Sequence, residues 1–131
     1  MKNGTAFQEQ WPLIKRYLLE QMELNEVIPS RHAESQMMKR SISMADIKEI
    51  VRFWSVDEMY DRYKYPYGET AFKNPNPVFS ITGQDAYGRK LTIAFALKKQ
   101  RRILWFGIVT TFLEDELRRN RHETYLDNDT L

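Results

Sequence analysis

Cysteine is absent from the 131-residue chain, so no disulfide can form and stability cannot depend on oxidation, which favours the cytoplasm. Histidine is nearly as scarce. The two present, His32 and His122, stand ninety residues apart and no HExxH spacing occurs, so no metal is expected. There is also no phosphate loop, dinucleotide fingerprint or nucleophile elbow. The stretch GQDAYG, residues 83–88, has two glycines, but it falls in an expected hairpin turn and offers phosphate no helix N-terminus. Long apolar runs are missing too: Ile93–Leu97 and Ile103–Val109 fall far short of the roughly 20 residues of a membrane span. The opening MKNGTAFQEQW has one lysine and no uninterrupted apolar run before its first acidic residue, unlike a secretory signal. A soluble protein with no membrane partner is expected.

Charge of one sign is lacking in bulk, with 20 Lys and Arg against 18 Asp and Glu for a net +2. The distribution says more. KKQRR (98–102) and RRNRH (118–122) are locally basic, with Glu114, Asp115 and Glu116 between them. Such patches attract phosphate even at modest global charge; the plain alternative is a charged turn and a solvated helix end.

What is present suits one domain over 1–131: 42% of residues are hydrophobic, enough for a real core. Trp11, Ile14, Leu18 and Met22 repeat at helical spacing, with Tyr17 and Leu24 widening that face. The helix is expected from Thr5 to Asn25, its regular part beginning near Trp11 because Pro12 is tolerated only in a first turn. Ser30 caps a second helix in which Ala33 and Met37 pack inward and His32, Gln36 and Lys39 form a polar face. Ser43 and Asp46 have capping-box spacing, followed by the apolar stripe Ile47, Ile50, Val51 and Trp54. The stretch DEMYDRYKYPYGETAFKNPNP (57–77) reads as a long connection with room for a short edge strand. From Val78 the period becomes two. Val78–Gly83, RKLTIAFAL (89–97) and ILWFGIVTTF (103–112) are strands joined by QDAYG and KKQRR, with consecutive antiparallel pairing the simplest topology. Phe112–Arg121 is compatible with a returning C-terminal helix carrying Leu113 and Leu117. The fold class is therefore α+β, with N-terminal helices on one face of a small, mainly antiparallel sheet. Within it, 1–28 is a helical extension, 30–111 the core, and 112–131 a C-terminal helix and tail.

Several residues could do chemistry. A histidine titrates near pH ~6.5, so His32 could exchange a proton during attack of an RNA 2′-hydroxyl on the adjacent phosphate; the alternative is an incidental surface residue. Arg89 could hold phosphate through paired hydrogen bonds, or form a salt bridge with Asp85. Tyr87 could stack on a base or pack in its turn, and Arg40 could reach a ligand or satisfy helix-end carbonyls. Lys98, Lys99, Arg101 and Arg102 could guide RNA electrostatically. His122 is either an acid partner or a tail residue. Trp54, Trp105 and Phe106 read chiefly as packing, whereas Tyr60, Tyr63, Tyr65 and Tyr67 could present a protein- or nucleic-acid-binding surface.

The segment HAESQMMKRSIS, followed by an apolar helix and later by ITGQDAYGRKLTIAFAL and ILWFGIVTTF, resembles a bacterial family of small domains of unknown function. Its pattern is His-Ala, a nearby Arg-Met, another Arg, then Ile-Ser and a glycine-containing β-region. His32, Ala33, Met37, Arg40, Ile42 and Ser43 match, and the resemblance covers roughly Ser30–Thr111. That family is grouped with the barnase and RelE type of compact fold, which includes metal-independent ribonucleases and toxins of toxin–antitoxin systems. The resemblance implies roles for His32, Arg40 and Arg89 around RNA or ribosome-bound RNA, with Tyr87 positioning the nucleotide, no cofactor, and a 2′,3′-cyclic phosphate product. Two positions depart from the pattern: Gln36 stands where the family often has Arg, and Ser41 where it usually has Gly. The competing expectation is a noncatalytic module for a cognate protein partner, antitoxin-like, immunity or mobile-element accessory, suggested by near-neutral charge, Gln36 and the tyrosine-rich connection.

Overall fold

The four apolar residues at helical spacing become helix α1, Trp11–Glu23, with Trp11, Ile14, Leu18 and Met22 buried. A 3-10 segment, Thr5–Gln10, precedes it, and Pro12 sits in its first turn, where a missing amide costs no helical bond. The computed structural model describes residues 5–67, 71–100 and 103–113. Tyr17 and Leu24 do not extend the buried face: both are exposed, Leu24 because the helix has ended there.

Two short helices follow, α2 over Arg31–Arg40 and α3 over Met44–Phe53. The Ser30 hydroxyl accepts from the Ala33 N–H at 3.1 Å, satisfying one orphan donor of α2. At α3 the capping box is complete: Ser43 accepts from the Asp46 N–H, and Asp46 accepts from the Ser43 N–H. Ile47, Ile50 and Val51 are fully buried, as their spacing predicts. Trp54 departs from that stripe. The helix stops at Phe53, and Trp54, in extended backbone and 41% exposed, lies against β-strand glycine Gly83 instead of continuing the helical face.

Among the described residues five strands form one sheet in the order β1-β5-β4-β3-β2: Ile28–Pro29, Ile103–Leu113, Lys90–Gln100, Val78–Gln84 and Val56–Tyr60 respectively. Strands β2 to β5 make the expected antiparallel meander, and β2 is the short edge strand of the 57–77 region. Strand β1 was not expected. It pairs parallel to β5 through Ile28↔Gly107 and Pro29↔Ile108, which makes the sheet mixed and ties the end of the N-terminal helix to the last strand. Two residues ending in proline carry little strand signal, yet a chain edge tolerates the missing amide. Strand β5 runs on to Leu113, so Phe112 and Leu113 are strand residues rather than the start of a helix; 114–131 lie outside the described residues. Lys98 and Lys99 likewise belong to strand β4 and not to a turn.

A bulge divides β5. Ala94 pairs with Thr110 but Phe95 with Ile108, which leaves Val109 as the extra residue. The alternation shifts there by one. Phe106 and Ile108 on one side of the bulge and Thr111 on the other can then all be buried beside Ile93, Phe95 and the helices. A second, smaller cluster forms where Tyr60, Tyr65, Tyr67, Val78 and Ala94 pack together. Tyr65 and Tyr67 of the connection thus cover part of the sheet face that the helices leave bare. Among the described residues no helix is long and apolar enough to cross a membrane.

Candidate functional site

Arg89 sits at the end of a turn built by Asp85. The Asp85 carboxylate accepts from the backbone N–H groups of Tyr87 and Arg89, each at 2.9 Å, while Gly88 supplies the φ of +82° that closes the turn. The Arg89 side chain then turns back into the protein. Its Nε donates to Asp85 Oδ2 at 2.7 Å, one terminal nitrogen to the Arg40 carbonyl at 2.6 Å and the other to the Ser41 carbonyl at 3.1 Å. The latter nitrogen also lies 3.7 Å from Asp46 Oδ2. Burial alone would raise the Asp85 carboxyl, but the Arg89 side chain, the two backbone donors and the Arg89 charge together hold it below the ordinary carboxylate value. Arg89 is therefore a clamp on the fold. It joins the β3–β4 turn, the exit of α2 and the entry of α3, and each of its three guanidinium nitrogens is already engaged.

Arg40 contributes its carbonyl to that clamp and is half-buried. Ser41, in the position where the family resemblance places glycine, takes the left-handed conformation at φ 53°, ψ 48°, so the helix exit is kept despite the side chain. Tyr87 is 80% exposed at the tip of the turn, with the Arg89 guanidinium 5.8 Å from its ring centroid.

His32 lies at the other end of α2, exposed in the first turn. It is separated from Arg40 by eight residues, about 12 Å along the axis at ~1.5 Å per residue. The structure thus does not bring His32 together with the Arg40, Tyr87 and Arg89 group. Gln36, expected on the polar face beside His32, is instead buried. Its Oε1 accepts from the Thr110 hydroxyl at 2.6 Å and the Thr111 N–H at 3.0 Å, just beyond the bulge. Ser30 serves the same edge, donating its N–H to the Ile108 carbonyl and its hydroxyl to that of Val109. Beyond the two residues of β1, polar side chains thus take over the pairing of β5. An arginine at position 36 has no acceptor and could not do this.

Beside that edge a groove of about 660 Å³ opens, bounded by 26–30, 73–76 and the facing segments of β4 and β5. Lys73, Lys98, Trp105 and Gly107 line it, and so does Ser30, two residues before His32. Lys98 and Trp105 are cross-strand partners, as are Ala96 and Gly107, so the two pairs are successive steps on one sheet face. Lys98 is exposed and Trp105 is 40% exposed. Lys99, also exposed, is the next residue of the strand and by alternation points to the opposite face. Arg101, Arg102 and His122 lie outside the described residues. Lys73 and Gly107 had no place in the sequence reading; a glycine amid a bulky strand was the available signal for one, and nothing marked the other.

The tyrosine-rich connection is corrected as a docking surface. Tyr60, Tyr65 and Tyr67 are buried in an edge-to-face trio with centroids 5.5–6.2 Å apart, and Tyr60 donates to buried Glu58. Only Tyr63 of the four is exposed. Phe106 packs in the core against Phe79. No group of three or more His, Cys, Asp or Glu able to hold a metal ion occurs among the described residues.

A family model described as Domain of unknown function (DUF4258) matches residues 30–112, and the chain belongs to that family. No curated protein and no solved structure matches it. The matched segment begins at the cap of α2 and ends in β5, so it contains the clamp and most of the groove while leaving out α1.

Proposed function

We propose that this DUF4258 domain is a metal-independent endoribonuclease that holds RNA in the groove beside the N-terminus of α2. One observation carries the reading: Ser30 lines a groove bearing Lys73 and Lys98, and the exposed imidazole of His32 stands two residues further on, in the first turn. Lysines there attract the phosphate backbone, and a nearby imidazole can take the 2′-hydroxyl proton. The 2′-oxygen would bond to phosphorus as the bond to the 5′-oxygen breaks, and the departing oxygen would take a proton from water, giving a 2′,3′-cyclic phosphate and a 5′-hydroxyl. Arg89 has no part in that chemistry in this reading, because its guanidinium is committed to Asp85 and two carbonyls. Grouping with the RelE and barnase type of fold and a toxin role in the cytoplasm belong to the same proposal. They are supported by the order of helices before an antiparallel meander and by the lack of cysteine.

A noncatalytic binding module is the second reading, favoured by the separation of His32 from Arg89 along α2. Incubation with a mixed RNA pool in EDTA, followed by analysis of product ends, decides between them. Cyclic-phosphate ends that disappear with His32→Ala, in protein of unchanged stability, support cleavage. Intact RNA, with ribosome-bound messages equally intact, leaves the binding module.

A further inference from the structure

Two of the described glycines lie inside strands of this sheet, and they have different reasons to be there. At Gly83 a Cβ would fall 2.4 Å from the Trp54 ring, so packing forbids a side chain. At Gly107 the nearest atoms a Cβ would meet are the Ile28 carbonyl at 3.5 Å and the end of Lys98 at 3.7–3.8 Å, ordinary contact distances. Nor is its backbone in the left-handed region, which among the described glycines only Gly88 occupies. Neither conformation nor packing requires glycine at position 107, although glycine in a strand interior weakens the strand and often marks close approach of a ligand.

What a side chain at 107 would occupy is the floor of the groove. Gly107 and its partner Ala96 leave that floor low, the indole of Trp105 rises half-exposed at the next cross-strand step, and the Lys98 amine lies over the glycine. Lys73 stands on the wall formed by 73–76. We infer that this groove is a nucleotide subsite for single-stranded RNA, with a base stacked on Trp105 and the backbone phosphates held by Lys98 and Lys73 above Gly107. The inference rests on the RNA-handling reading above and deepens it by naming the strand form and the residues that select it. An indole stacks on any base, so sequence tolerance is expected. A volume of about 660 Å³ suits a nucleotide-sized ligand, and a base can stack on Trp105 only if it is not already stacked and paired in a double helix. Ile28, paired with Gly107, and Glu26 also line the groove, and Glu26 gives the strand one repulsive boundary.

The test is direct binding in the full chain carrying His32→Ala, so that no cleavage intervenes. Tryptophan fluorescence, and for every variant the anisotropy of end-labelled RNA, is followed on titration with a short single-stranded RNA and the same RNA as a duplex, with inorganic polyphosphate as competitor. Quenching by the single strand that is lost with Trp105→Phe is expected, with Kd weakened about tenfold or more by Gly107→Val and by Lys98→Ala, and duplex binding weaker by a similar factor. Gly107→Ala should keep or raise Tm while weakening binding, an outcome a purely structural glycine would not give. The subsite is overturned if Gly107→Val and Trp105→Ala, both folded, bind the single strand as the parent does, or if polyphosphate competes as well as RNA. Its failure is separable from that of the ribonuclease reading. Cleavage that survives Gly107→Val and Trp105→Ala unchanged sinks the subsite alone, whereas subsite-dependent binding without cleavage sinks the ribonuclease alone.

Discussion

The two ends of α2 draw on similar residue types and put them to opposite uses. At the C-terminal end Arg89, Asp85, Asp46 and the carbonyls of Arg40 and Ser41 satisfy one another, so the charges are consumed in joining three elements. Toward the N-terminal end Ser30 and Gln36 secure the strand edge, while His32 and the groove residue Lys98 stay exposed. A cation is a candidate for function when the fold has left its donors unused. By that criterion the clamp end holds the domain together and the groove end is where a ligand would bind.

Removing the clamp should cost the most. Arg89→Ala leaves the Asp85 carboxylate, whose side chain is 0% exposed, without its cation, and a loss of about 3 kcal/mol in urea unfolding is expected. Arg89→Lys should recover less than half, since an ammonium cannot serve the same acceptors in the plane of a guanidinium. The clamp also predicts an acid limb. Asp85 is held below its ordinary value of 3.8, so its stabilisation is present above that pH and is lost as pH falls through the lower folded value. Unfolding free energies measured from about pH 5 downward should decline in the parent and be flatter in Asp85→Asn. A parent slope no steeper than that of the variant would show that the Asp85–Arg89 pair does not govern acid stability.

At the strand edge the expected loss is smaller. Gln36→Leu keeps the volume and removes the acceptor for the Thr111 N–H and the Thr110 hydroxyl, at a cost of about 2 kcal/mol. Gln36→Arg should be no better, because it sets donors against donors. If Gln36→Arg is as stable as the parent, the edge is capped in some other way. Smaller again, and of opposite sign, is the effect of Ser41→Gly. The left-handed conformation costs an L-residue roughly 1 kcal/mol, so glycine should raise stability by up to that amount.

The helices and the meander were readable because each rests on local pattern: the period of α1, the capping box of Ser43 and Asp46, and the alternation of β4, which sends Leu91, Ile93, Phe95 and Leu97 to the helix side, all survive intact. What failed depended on partners distant in the chain. Gln36 looks like surface until Thr111, 75 residues on, supplies its donor, and Trp54 looks like a helical core residue until Gly83 offers a flat place for its ring. The tyrosines of 57–77 look uncommitted because nothing local shows that they meet Val78 and Ala94. For the candidate site the same limit applied. Asp85 was visible as a neighbour of Arg89, but the two carbonyls that complete the clamp come from 48 and 49 residues away.

The sharpest use of the comparison is a pair of substitutions expected to do almost nothing to stability. His32 and Lys98 are both exposed, and neither side chain enters the core that holds α2 or β4 in place. His32→Ala and Lys98→Ala should therefore each stay within about 0.5 kcal/mol of the parent. Against that flat background any loss of RNA binding by Lys98→Ala, or of cleavage by His32→Ala, reports on function rather than folding. Arg89→Ala offers no such reading: reduced activity there follows from loosening three elements at once. Should Lys98→Ala instead destabilise as Arg89→Ala does, the groove lysine is also a structural residue, and the distinction between the two ends of α2 fails.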